Sequence, residues 1–133
     1  MPRVLLVDDD PLVRSSSAVL LAAQGYKVAL ASDGHAAIAM VEASSFDLAI
    51  VDFFMPRMNG LDLIKAVHAI RPTLPTIIMS VMRLPGMSGD SLGVESSNGQ
   101  SITVTWLQKP FRSADLSRAI AQATGIAPDA CVA

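Results

Sequence analysis

Five short apolar runs, residues 4–7, 28–31, 48–51, 76–79 and 102–107, recur along this 133-residue chain, with longer segments of helical character between them. Most of the runs are continuous rather than alternating, which is how strands covered on both faces of a parallel sheet read. The segment 12–24 stops at Gly25. The segment 35–43 follows Asp33-Gly34 and places Ala37, Ile38 and Val41 on one helical face. After Asn59-Gly60, with Asn59 as N-cap, Leu63, Ile64, Val67 and Ile70 mark a helix that ends before Pro72. A last helix is expected over 113–123, with Ser113 as N-cap and Asp115 in its first turn. Strands alternating with helices imply an α/β, doubly wound parallel sheet with helices on both faces, because right-handed crossovers return each strand parallel to the one before.

One stretch breaks the alternation. Nine of the seventeen residues from 85 to 101 are Gly or Ser, too little apolar surface to bury a helical face. A mobile loop is expected there, with the fourth helix degraded or disordered. A single domain over residues 1–126 is expected, followed by a frayed tail over 127–133.

With 51% hydrophobic and 17% charged residues, the chain is too apolar for disorder. A net charge of −2, no basic run and 5% aromatic residues argue against nucleic acid as a partner. The lone Cys131 excludes a disulfide framework and suits a reducing compartment. No apolar stretch reaches membrane length, and the run before the first aspartates is too short for a signal segment, so a cytoplasmic protein without a membrane partner is expected.

In a parallel sheet all strands end on one edge, and ligands bind outside those carboxyl ends. Strand one is followed by Asp8, Asp9 and Asp10, strand three by Asp52, strand four by Ser80 and strand five by Lys109. Several carboxylates with a hydroxyl and an ammonium form a hard-oxygen site suited to Mg²⁺, with the lysine as a point charge for an anion. That set favours phosphoryl chemistry, which needs mainly positioning and charge neutralisation. Asp52, lone and central, is the better placed nucleophile. Taken singly, the acidic trio reads as a solvated helix cap, Lys109 as a surface lysine and Ser80 as a satisfied strand-end hydroxyl; their order along the chain weighs against those readings. His35 and His68 lack partners at ligand spacing and read as exposed helix residues.

The motifs Val7-Asp8-Asp9-Asp10-Pro11, Val51-Asp52, Met55-Pro56, Asn59-Gly60, Ser80 and Lys109-Pro110-Phe111 resemble those of the receiver domain of two-component response regulators, from residue 3 to about 124. The resemblance implies a (βα)₅, flavodoxin-like sheet of five parallel strands in the order 2-1-3-4-5. It implies that Asp52 is the phosphoacceptor and a metal ligand, that Asp8 and Asp9 are the acidic pair for Mg²⁺, and that the Phe54 backbone carbonyl is a further ligand. Asp10 matches no required ligand. Ser80 would donate a hydrogen bond to the phosphoryl group and Lys109 would pair with its oxygens, placed by a cis Lys109-Pro110 bond. Trp106 stands where the family carries a Tyr or Phe that turns inward on phosphorylation, and its larger ring with an N–H in need of a partner is expected to hinder that swing.

The implied partners are a sensor histidine kinase or phosphotransfer protein and a downstream protein target, and a homodimer is compatible with the reading. Such a domain is a switch more than an enzyme, acting only on its own phosphorylation and dephosphorylation. Two other classes compete. One is an interaction module of the same ancestry that no longer switches; the other is a Mg²⁺-dependent phosphohydrolase with an Asp nucleophile, which would usually want an acidic residue where Phe54 stands.

Overall fold

The computed structural model describes residues 2–95 and 99–125 of the chain. The 127–133 tail with Cys131 and part of the Gly/Ser-rich stretch, residues 96–98, lie outside the described residues. In chain order the elements are β1 (Arg3–Val7), α1 (Pro11–Ala23), β2 (Lys27–Ala31), α2 (Gly34–Ala43), β3 (Leu48–Asp52), α3 (Gly60–Ile70), β4 (Thr76–Ser80), β5 (Met87–Ser88), β6 (Ser91–Glu95), β7 (Ser101–Gln108) and α4 (Ser113–Thr124).

Seven strands form one sheet in the order β2-β1-β3-β4-β7-β6-β5. The first five in that order are parallel and reproduce the expected 2-1-3-4-5 arrangement, with β7 as the fifth. β3 and β4 are buried along their whole length, because helices cover both faces. On one face α1 and α4 contribute Leu21, Leu116, Ala119 and Ile120 to a core with Val4, Leu6, Ile50 and Ile77. On the other, Ala37 and Val41 of α2 and Leu63, Ile64 and Val67 of α3 pack on Leu5, Val7, Val51 and Ile78. Each of these Val, Leu and Ile side chains, withdrawn from water, contributes about 2 kcal/mol. Among the described residues no helix is long and apolar enough to cross a membrane.

The helix starts follow local chemistry. Asp33 Oδ1 accepts from the Ala36 N–H at 2.8 Å, and Asn59 Oδ1 accepts from the Asp62 N–H at 2.9 Å, each occupying an otherwise unpaired donor of the first turn. Arg112, not Ser113, occupies the cap position of α4. The Asp115 carboxylate accepts the Arg112 N–H at 3.0 Å, tying the first turn back to the cap residue, while Ser113 Oγ accepts from Gln24 Nε2 at 3.0 Å.

The expected mobile loop and the five-strand count are both corrected by β5 and β6, which form an antiparallel hairpin. β6 in turn pairs antiparallel with the first half of β7, from Ser91↔Thr105 to Glu95↔Ser101. No helix is present between β4 and β7 among the described residues. The physical reason is period-two burial: Leu92 and Val94 of β6 and Ile102 and Val104 of β7 point to one side and are buried, while Gly93, Glu95, Ser101 and Thr103 are exposed. These four residues join the core beside α3, so the hairpin covers apolar surface at this end of the sheet while its Gly and Ser residues face water. The amides that pair β6 with β7 are therefore expected to exchange slowly in the unmodified protein, at rates comparable to those of β4. Exchange at coil rates through residues 91–95 would contradict the hairpin.

Candidate functional site

Parallel β1, β3 and β4 deliver Asp8, Asp52 and Ser80 to one edge of the sheet. Asp52 and Ser80 are the last residues of their strands, and Asp8 follows the end of β1. All three are buried, whereas Asp9 and Asp10 are exposed. Asp8 Oδ1 accepts the Asp10 N–H at 3.0 Å, which folds the acidic loop back over the strand end. Arg14, whose guanidinium donates to the Asp8 carbonyl at 2.8 Å, ties the same loop to α1. Asp10 is the N-cap of α1, with Oδ1 accepting from Leu12 at 2.9 Å and Val13 at 3.4 Å. Its carboxylate is committed to the helix.

Lys109 reaches the site from just beyond β7. Its backbone N–H donates to the Ser80 carbonyl at 2.8 Å, the Lys109-Pro110 peptide is cis, and its Nζ lies 3.1 Å from Asp8 Oδ2 and 3.2 Å from Asp52 Oδ1. Asp8, Asp9 and Asp52 each offer a carboxylate oxygen, and these atoms lie within 4.8 Å of one another. Three carboxylates against one ammonium leave an excess of negative charge, and the donors are all hard oxygens, which is the chemistry a divalent cation such as Mg²⁺ requires.

The electrostatics agree with that excess. Burial, assisted by the charges of Asp8 and Asp9 and opposed by Lys109, pushes the Asp52 carboxyl up to about 6. Burial works against the Lys109 ammonium, but its hydrogen bond to Asp8 and the attraction of Asp52 outweigh this and raise it above its ordinary value.

Phe54, two residues past Asp52, exposes half of its surface and stacks edge-on against Phe53, with ring centroids 4.7 Å apart. The Phe53 carbonyl is occupied by the Gly60 N–H at 2.9 Å, so the Phe54 carbonyl is the next one along the loop from Asp52. On the other flank of the site, the Ser80 hydroxyl donates to the Met82 carbonyl and accepts from Trp106 Nε1 at 2.9 Å. The indole already points inward in the unmodified chain and is 8% exposed. Sequence reasoning missed Arg83, whose guanidinium covers the indole at 5.3 Å from the ring centroid and donates to the Gly89 carbonyl at 2.9 Å. An arginine three residues past a strand end carries no signal of that role. The two histidines stay outside the site: His35 is exposed, while His68 is partly buried, with Nδ1 3.2 Å from the Pro72 carbonyl, and burial lowers its pKa.

Comparison with known proteins places this arrangement. Residues 4–121 match the family model described as the response regulator receiver domain. The response regulator MprA of Mycolicibacterium vanbaalenii is 30% identical over 114 residues, covering 86% of this chain and 46% of that protein. The transcriptional regulatory protein ZraR of Salmonella typhimurium is 40% identical over 77 residues, 58% of this chain and 18% of that protein. The chain thus spans less than half the length of these relatives. Among solved structures, the chemotaxis protein CheY4 of Vibrio cholerae superposes with a TM-score of 0.74 at 28% identity, covering 92% of this chain and 98% of that one. The receiver domain of sensor histidine kinase PA1611 of Pseudomonas aeruginosa, whose structure carries a magnesium ion in the active-site cleft, gives 0.73 at 25% identity, covering 93% and 98%. With the family match running from β1 into α4 and the fold shared with these solved structures, the chain belongs to the response regulator receiver domains of two-component signal transduction.

Proposed function

We propose that this domain accepts a phosphoryl group on Asp52 from a phosphohistidine of a sensor kinase or phosphotransfer protein, and relays the change to a protein target. The observation that carries the reading is Lys109 Nζ held 3.1 Å and 3.2 Å from the carboxylates of Asp8 and Asp52, with Asp9 in reach of the same point. An Asp52 oxygen attacks phosphorus, an O–P bond forms as the N–P bond of the donor breaks, and the electron pair returns to the imidazole nitrogen, which takes up a proton. Lys109, already at hydrogen-bond distance from the Asp52 carboxylate, pairs with the phosphoryl oxygens as they leave the donor, a charge-assisted contact. Asp8, Asp9, Asp52 and the Phe54 carbonyl would hold Mg²⁺, which when bound neutralises charge on the phosphoryl oxygens. With its pKa near 6, Asp52 is mostly ionised at neutral pH and available as nucleophile.

A protein donor is supported by the apolar rim. Leu12 at the start of α1 is 79% exposed and Val81 beside Ser80 is 58% exposed, so a docking partner would cover both next to the reacting carboxylate. The test is incubation with acetyl phosphate and Mg²⁺ followed by intact-mass measurement. The parent is expected to gain one phosphoryl group and Asp52→Asn none, while Lys109→Ala keeps the fold but loses the response to phosphorylation. A phosphoryl group on Asp52→Asn would overturn the assignment. Steady turnover of a generic phosphate ester would favour a phosphohydrolase instead.

A further inference from the structure

We propose that Trp106 is a positioning residue for the Ser80 hydroxyl: its indole N–H holds the oxygen so that the Ser80 proton can be given only to the Met82 carbonyl or, after phosphorylation, to the phosphoryl group, while the indole itself stays in place. This deepens the phosphoacceptor reading and rests on it.

A serine hydroxyl has one proton and a freely turning C–O bond, so its donor direction is set by whatever occupies its lone pairs. Here the Trp106 Nε1–H, a donor only, sits 2.9 Å from Ser80 Oγ, and both residues are buried. The Ser80 proton must therefore point away from the indole, and in the unmodified chain it goes to the Met82 carbonyl. Met82 lies in the exposed connection that follows β4, so that carbonyl regains a water partner when the serine leaves it. The indole has no such alternative. Its N–H is buried against Ser80, its own backbone N–H donates to the Asp90 carbonyl at 2.7 Å, and its ring lies under Arg83, which is tied to Gly89 of the hairpin. Losing the Ser80 contact would leave a buried donor unsatisfied. The low-cost exchange is thus one of acceptor for the serine proton, from Met82 to a phosphoryl oxygen. The moving part is the connection 81–84, not the aromatic ring.

The experiment uses the full chain and a mutant cycle of Trp106→Phe, Ser80→Ala and the double variant. Trp106→Phe keeps an aromatic ring but removes the N–H. Each is loaded with acetyl phosphate and Mg²⁺, the donor is removed and the loss of phosphate is timed, with a thermal melt of each to correct for folding. Trp106→Phe is expected to change the phosphate lifetime at least about threefold with Ser80 present and by less than about that factor in the Ser80→Ala background, the non-additivity of two groups that act through one another. Since the chain holds a single tryptophan, its emission gives a second readout. The unmodified parent should show blue-shifted, poorly quenched emission that changes little on phosphorylation. Additive effects in the cycle, or an emission that starts solvent-like and moves inward on phosphorylation, would overturn the positioning role while leaving Asp52 as phosphoacceptor. A parent that takes up no phosphate would sink the phosphoacceptor reading and this one with it.

Discussion

Gly60→Ala is expected to cost about 3 kcal/mol of stability, the upper end for overpacking, and to displace Asp52. A Cβ at Gly60 would lie 2.7 Å from the Asp52 carbonyl oxygen and 2.9 Å from the Phe53 Cα. Neither atom can turn aside, since both belong to the strand end that the Phe53 N–H fixes to the Met79 carbonyl at 2.8 Å. Gly60 itself opens α3 and donates to the Phe53 carbonyl, so relieving the clash means parting the helix start from the phosphoacceptor loop. The higher helix propensity of alanine, roughly 1 kcal/mol at most, does not offset that. Gly93 is the control: nothing lies within 4 Å of a Cβ there, and Gly93→Ala should stay within about 0.5 kcal/mol of the parent. Urea midpoints at constant m-value read both. A Gly60→Ala midpoint equal to that of Gly93→Ala would show that the close approach has no energetic weight.

Asp52→Asn is expected to stabilise the metal-free protein at pH 7 by up to about 3 kcal/mol, two pKa units at about 1.4 kcal/mol each. The Asp52 carboxyl is raised from 3.8 to about 6 by burial foremost, so between those values the folded state holds a proton that the unfolded chain releases. Its contribution to stability is therefore complete below about pH 3.8 and is lost as pH rises through about 6. The advantage of Asp52→Asn over the parent should accordingly be small near pH 4 and grow to its plateau above pH 6. Mg²⁺ should act in the opposite sense, stabilising the ionised parent at pH 7 by about 1.4 kcal/mol at ten times its Kd and Asp9→Ala less. Thermal melts across pH, with and without Mg²⁺, measure each. A stability gap between parent and Asp52→Asn that stays flat from pH 4 to 7 would remove the basis for a strained acidic site.

What the chain carries in one dimension is the set of local decisions. The continuous runs at β1, β3 and β4 announce strands buried on both faces, Asp33 and Asn59 announce helix starts, and because parallel crossovers send every strand to the same edge, the residues after those runs had to converge. Asp8, Asp52, Ser80 and Lys109 were legible for that reason, and Asp10 was legible as a cap. The hairpin was half legible: Leu92 and Val94 alternate with polar neighbours, as do Ile102 and Val104, but a count of glycines and serines hides a period of two. An alternating segment also becomes a strand only when a partner supplies the other half of its hydrogen bonds and a surface for its apolar side, here β7 and α3. That the Trp106 N–H needs a partner was legible, but the expected hindrance to an inward ring is corrected by the structure, where Ser80 satisfies that N–H inside. A side chain on β7 has both inward and outward rotamers open to it, and the choice falls to a hydroxyl 26 residues earlier in sequence and to an arginine anchored on the hairpin. Local propensity and pattern determine which segments become strands and helices, and so which edge bears the carboxylates. Long-range contacts alone decide which hydrogen bond a buried donor makes, because that depends on atoms brought together only after the sheet has formed.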